Sequence, residues 1–202
     1  MRIRRSLKAA ALIAAAVVLG LLTVQGTYAL WSASASAAPG TVQSASFTMG
    51  MSAVPSGQTS TMTLADGTPA KLAITPATTL LPGSSVYGGV AVTNNTNAGG
   101  TFNTTVTAAR GTVTSTGDGS LAGNVTINAK IGAVAADCNT ATGYTTLTSA
   151  GLTSPAVPKT ASTVFCFQVT LNPNAPASVK GQAVNIPLTL TARQLCGVPG
   201  GC

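Results

Sequence analysis

The chain has 202 residues, of which 6% are charged and 45% hydrophobic, and it contains four Cys, no His and no acidic residue other than Asp. General acid–base chemistry at neutral pH leans on His or on a tuned carboxylate, and Asp66, Asp118 and Asp137 are dispersed and lie in no recognisable motif, an inventory that speaks against an enzyme. The net charge of +7 is concentrated at the amino terminus: Arg2, Arg4, Arg5 and Lys8 supply four of the ten positive charges, and a chain beginning after residue 29 keeps six Lys/Arg against three Asp, or +3. Those six (Lys71, Arg110, Lys130, Lys159, Lys180 and Arg193) form no basic stripe and have no interleaved aromatics, so no nucleic-acid partner is expected.

In chain order, "MRIRRSLK" is a positively charged opening, residues 9–22 are an apolar run, "AAALIAAAVVLGLL", and small residues follow. These are the three parts of a secretory signal peptide in the right order. Even with Thr23 and Val24 the run is short of the roughly 20 apolar residues that span a bilayer. A signal peptide over residues 1–29 is therefore expected, with membrane contact only through this leader before cleavage. A leader left uncleaved would instead tether the domain to the membrane. No Cys near the leader's end invites lipid attachment, and the carboxyl terminus carries neither an apolar tail nor a sorting motif. By the small-x-small rule a signal peptidase has sites after Ala29 and, equally good, after Ala35, Ala37 or Ala38.

Gly26-Thr27-Tyr28-Ala29-Leu30-Trp31-Ser32 resembles the signature of SipW-type signal peptides, found on the TasA and camelysin (CalY) family of secreted matrix-fibre proteins. The resemblance extends to "ASFTMGM" (45–51), placed like that family's Phe-containing first strand, and to "LLPGSSVYGGVAVTNNTNAGGTFNTTVTA" (80–108), similar to its turn–strand–turn–strand run. It covers about the first half of the chain. Ala33 and Ser84 stand where acidic residues are common in the family, and the last 70 or so residues do not align. The resemblance implies cleavage between Ala29 and Leu30, leaving Leu30-Trp31 at the mature amino terminus. Some camelysin-type relatives are described as metalloproteases, but that chemistry needs a metal held by His or carboxylates and a general base. With no His and three dispersed Asp, no catalytic residue, cofactor or metal is expected here.

Residues 30–43 include "SASASAAPG", a low-complexity stretch that reads as a flexible arm. From residue 44 to 202, alternating Thr, Val and Ala punctuated by Gly, Asn and Pro predict strands near 44–52, 60–65, 70–75, 86–94, 101–108, 111–115, 124–132, 163–171 and 184–192. In "NVTINAKIGAV", Val125, Ile127, Ala129 and Ile131 share one face, a period of two. Pro187 marks the last of these segments as an edge strand or the site of a bulge. "PGS" (82–84), "NNTNAGG" (94–100), "TGDGS" (116–120) and "NPNAP" (172–176) read as turns. The prediction is all-β: a single two-sheet antiparallel β-sandwich, jelly-roll-like, after an amino-terminal signal helix.

Four Cys in the last third of an exported chain predict two disulfides, for which three connectivities are open. Cys196 and Cys202 flank a Gly/Pro turn in "CGVPGGC", which favours pairing them with each other and Cys138 with Cys166. No C-x-x-C spacing supports zinc. Asn94, Asn103 and Asn124 begin N-x-T triplets, which arise readily by chance in a chain so rich in Thr.

Two functions from different classes are consistent with these features. The family resemblance implies a non-catalytic subunit of extracellular fibres or biofilm matrix, its partners being further copies of itself, other matrix components and, during export, the signal peptidase. Leu30, Trp31 and the strand around Phe47 would supply a missing strand to the next subunit, a head-to-tail contact that propagates. The alternative is a monomeric secreted or cell-surface binding or adhesion module. Its only candidates for sugar stacking are Tyr87 and Tyr144.

Overall fold

The computed structural model describes residues 8, 11–19, 45–63, 67–74, 79–100, 102–117 and 119–195. The chain divides into two compact units, residues 1–43 and 44–202. In the first, residues 11–19 are helical, with Leu12, Ile13, Val17, Val18 and Leu19 exposed. Among the described residues no helix is long and apolar enough to cross a membrane.

The second unit is an all-β, antiparallel sandwich. Its strands are β1 (Met49–Val54), β2 (Thr59–Thr61), β3 (Ser85–Asn94), β4 (Thr104–Arg110), β5 (Thr114–Ser115), β6 (Val125–Gly132), β7 (Thr145–Thr146), β8 (Leu152–Thr153), β9 (Ser162–Leu171), β10 (Val184–Asn185) and β11 (Leu188–Gln194). One layer is a six-stranded sheet in the order β2-β1-β3-β9-β6-β7. The other is built from β11-β4-β8 and the short β10-β5 pair. Alternation of side chains puts Met49, Met51, Val90, Val92, Ile127, Ala129, Phe165 and Phe167 on the inner face of the large sheet. Val106, Ala108, Leu188, Leu190 and Ala192 pack against them from the other side.

Pro187 acts as both features the sequence suggested. β4 and β5 run alongside β11 and β10, but between the pairs Leu188↔Arg110 and Asn185↔Thr114 one chain has three residues and the other two. That mismatch is a bulge. Pro187 lies in it, its carbonyl accepting from Gly111 N–H at 2.9 Å, and a Cβ on Gly111 would crowd the Pro187 ring at 3.3 Å. β11 beyond it is an edge strand.

Other expectations shift at their ends. The strand expected at 44–52 begins at Met49, and the one expected at 101–108 becomes Thr104–Arg110. β7 and β8, two residues each, were too short to give a periodic signal. Residues 70–75 were expected to be a strand; residues 69–74 do alternate in burial, but they join no sheet.

Where β3 turns toward β4, the Asn94 side chain is fully buried. Its amide donates to Phe102 O (3.2 Å), Thr104 Oγ1 (3.2 Å) and Val157 O (3.1 Å), and its Oδ1 accepts from Thr96 N–H at 3.2 Å. The amide is consumed by structure, which leaves this N-x-T triplet no free group for a glycan. Replacing Asn94 with Ala would strand several of these partners at once, so a loss of about 2–4 kcal/mol is expected in urea unfolding. Thr189→Ala, on the exposed outer face of β11, is expected to change stability by no more than about 0.5 kcal/mol.

Candidate functional site

The two layers do not match in width, and the difference leaves a slot. Its volume is about 880 Å³. The floor is the inner face of the large sheet, with Met51, Val86, Val90, Ile127, Phe167 and Val169. Residues 184–190 line one part of its wall and residues 69–74 another. Among the described residues, Lys71, Leu72, Ala73 and Ile74 form no backbone hydrogen bond, while Ala70 N–H donates to Met62 O at 3.0 Å. Leu72 and Ile74 nevertheless pack into the core. Ile74 comes so close to β3 that a Cβ on Gly88 would lie 2.7 Å from its Cγ2, so only glycine fits there.

Among the described residues the facing edge of β11 is unpaired as well. Gly111 N–H donates to Pro187 O and Leu195 N–H to Asn103 O, which fixes the odd-numbered residues of β11 as those hydrogen-bonded to β4. The N–H and C=O groups of Leu188, Leu190 and Ala192 therefore point away from β4, along a sheet edge, while their side chains face the core. An apolar floor with unpaired main chain beside it is what an added strand needs.

Of the residues expected to donate such a strand, Leu30 and Trp31 lie outside the described residues, as does Ala29 of the expected cleavage site. Phe47 is described and is 45% exposed. It is flanked by anchored backbone: Ser46 O and Thr48 O accept from Asn97 and Asn95 N–H, and Ser46 N–H donates to Asn97 Oδ1 at 2.7 Å. From Met49 onward the chain is β1, an interior strand between β2 and β3. The backbone on both sides of Phe47 is thus already hydrogen-bonded within its own domain.

Cys138 and Cys166 form a disulfide with Cα atoms 4.9 Å apart, as expected; Cys196 and Cys202 lie outside the described residues. Cys166 is on the outer face of β9 and is fully buried beneath the 3₁₀ turn Ala135–Asn139, which carries Cys138. The turn is further fixed by the Asp137 carboxylate, whose Oδ2 accepts from Ala133 N–H (2.8 Å) and Val134 N–H (3.1 Å). The hydrogen bonds from Val134 and Ala133 hold this carboxyl below its ordinary value, outweighing a slight desolvation, and Lys130 adds the smallest contribution in the same direction. The Lys130 ammonium donates to Thr140 O, Thr140 Oγ1 and Thr142 O, and lies 4.5 Å from the centroid of the Tyr144 ring. Tyr144 O–H donates to Cys138 O at 2.7 Å, and burial raises its pKa to about 12.

Tyr87 and Tyr144, remote in sequence, meet here with ring centroids 5.8 Å apart at 47°. Among the described residues no three of His, Cys, Asp and Glu gather in a group that could hold a metal. No protein-family model, curated protein or solved structure matches the chain.

Replacing both Cys138 and Cys166 with Ala is expected to lower the unfolding free energy by about 3–4 kcal/mol, the chain-entropy value for a loop of this size, read as a shift of the urea midpoint. Asp137 has a depressed folded-state pKa, so its contribution is complete above its unfolded value and is lost as pH falls through the folded one. Hydrogen exchange at Ala133 and Val134, corrected for intrinsic rate, should accelerate only below pH 3.8, the ordinary value of that carboxyl. Acceleration already between about pH 5 and 7, where a carboxylate stays ionised, would refute this role.

Proposed function

We propose that the protein is an exported, non-catalytic structural subunit that assembles head to tail into extracellular fibres or matrix by strand donation. The observation that carries this reading is the slot, a largely apolar gap bordered by main chain of β11 and of residues 71–74 that is unpaired among the described residues. The disulfide fits an extracellular, oxidising setting. The leader and the Gly26–Ser32 signature support export with cleavage after Ala29.

The occupant is the segment from Leu30 to Ala45 of a second copy. In "LWSASASAA", Trp31, Ala33, Ala35 and Ala37 alternate with Ser32, Ser34 and Ser36. That alternation is a strand pattern, with one small apolar face led by an aromatic and one hydroxyl face. The apolar face suits a floor of Val, Ile and Phe, and the hydroxyl face suits solvent. Extended at ~3.3 Å per residue, the segment reaches about 50 Å, enough to leave its own domain and lie in a neighbour's slot. A contact between one molecule's arm and another's slot is heterologous and does not close on itself, so chains of subunits follow.

Negative-stain electron microscopy of the chain from Leu30 onward, compared across a concentration series with a chain beginning at Ala45, tests this. The shorter chain keeps β1 and should fold, yet remain monomeric; the longer should form filaments. An excess of the peptide covering residues 30–45 should cap filament growth. Filaments from both chains would eliminate the arm as donor. Monodisperse particles of the longer chain at every concentration would eliminate self-assembly.

A further inference from the structure

The outer face of the six-stranded sheet carries a second surface, on the side opposite the floor of the slot and independent of the fibre reading, although Tyr87 also borders the slot. Register places Tyr87 of β3 opposite Gln168 of β9, and Gln168 opposite Asn128 of β6, so the three side chains form one row across three strands. They are bonded in sequence. Asn128 Nδ2 donates to Gln168 Oε1 at 3.0 Å, and Gln168 Nε2 donates to Tyr87 Oη at 3.3 Å. Every bond in the chain points the same way. Two polar functions are consequently left without a partner among the described residues: the Tyr87 O–H as a donor at one end and Asn128 Oδ1 as an acceptor at the other. Hydrogen bonds aligned head to tail polarise one another, which strengthens the terminal donor and acceptor.

The neighbouring row, Ser85, Thr170 and Thr126, adds hydroxyls, with Ser85 Oγ 2.7 Å from Thr170 Oγ1. On the other side the surface rises to the disulfide-pinned turn, whose Tyr144 stands against Tyr87. All six row residues are half-buried or exposed. The charged group beside them, Lys130, has its ammonium engaged by three oxygens and an aromatic ring. The surface therefore combines aromatic rings, side-chain amides and hydroxyls with no free charge. At ~4.8 Å between strands, a row of three side chains spans about 10 Å.

We infer that this row is a binding platform for a neutral polysaccharide. Sugar hydroxyls both donate and accept, so one chain can satisfy Tyr87 O–H and Asn128 Oδ1 together. Sugar C–H faces pack on tyrosine rings, which offer an apolar body and a polar tip. A charged polymer would find no counter-charge in the row, and a protein partner would meet few of the apolar anchors that carry protein interfaces. In a fibre, each subunit would present one such platform.

Affinity electrophoresis of the mature chain in gels containing soluble neutral glucan, galactomannan or glycol chitin tests the inference. Retardation by at least one of these polymers is expected, undiminished by added salt. Tyr87→Ala and Gln168→Ala should each weaken it about tenfold or more, as the loss of ~1.4 kcal/mol implies. Tyr87→Phe, which keeps the ring and removes the hydroxyl that is both the terminal donor and the acceptor of Gln168 Nε2, should stay folded with a urea midpoint close to wild type and still weaken retardation. Thr191→Ala, on the outer face of the other sheet, should leave it unchanged. No retardation by any of the three polymers would overturn the platform, as would equal loss in Thr191→Ala or a retained full effect in Tyr87→Phe. Filament formation by the Tyr87→Phe chain keeps this test distinct from that of strand donation.

Discussion

The ladder between β3 and β9, nine residue pairs from Ser85↔Thr170 to Thr93↔Ser162, is the interaction on which the rest of the domain depends. Its partners lie far apart in the chain, so closing it is costly in entropy, and what repays that cost is the burial of Phe165, Phe167, Val90 and Val92 on its inner side. The same pairing sets the outer side. Because side chains alternate, fixing Phe165 and Phe167 inward necessarily turns Cys166 and Gln168 outward. One register thus builds the floor of the slot, the disulfide and the row of amides. A slip of one residue would exchange the faces and lose all three.

The second layer has less to work with. β11 contributes only Leu188, Leu190 and Ala192 to the core, each partly buried, and β10–β5 adds two pairs. Residues 69–74 lie over β3 without hydrogen-bonding as a strand, held by Ala70, Leu72 and Ile74. An exposed strand edge invites pairing with another chain, and proteins usually protect it with charge, Pro or a bulge. The bulge opposite Pro187 has its extra residue between β4 and β5, on the paired side, and among the described residues the free edge over Leu188–Ala192 is unprotected. With so few charges in the chain, electrostatic repulsion does little to keep neighbours away.

Much of the large sheet was legible in the sequence because its central strands are long and rich in β-forming residues. "NVTINAKIGAV" carries period two along β6, whereas in "TVFCFQVTL" residues 163–167 are buried in succession, with Val164 and Cys166 covered on the outer face. The Cys138–Cys166 bridge could be read from spacing, since the Gly/Pro turn of "CGVPGGC" set the other pair apart. The slot could not be read that way. It is created by what is missing between residues 69–74 and β11, and a strand-like pattern in 70–75 says nothing about whether its backbone finds a partner. The Tyr87–Tyr144 contact was hidden for a similar reason: Tyr144 belongs to a loop without periodicity, and the disulfide, Asp137, Lys130 and the pairing of β7 with β6 bring that loop down on the sheet. The Asn94 hub looked like an ordinary turn residue, its burial being a property of the corner and not of the triplet.

The consecutive glycines of β3 separate the two faces of the molecule. Gly88 is bare on the inner side, where Ile74 presses against it, and Gly89 is bare on the outer side, where Phe165 O lies 2.7 Å and Cys138 Sγ 2.9 Å from the position of a missing Cβ. A side chain gained at the first position would press on the lining of the slot; one gained at the second would press on the disulfide and on the backbone of β9. Adjacent codons therefore govern separate surfaces, and substitution can reshape the slot and the outer face one at a time.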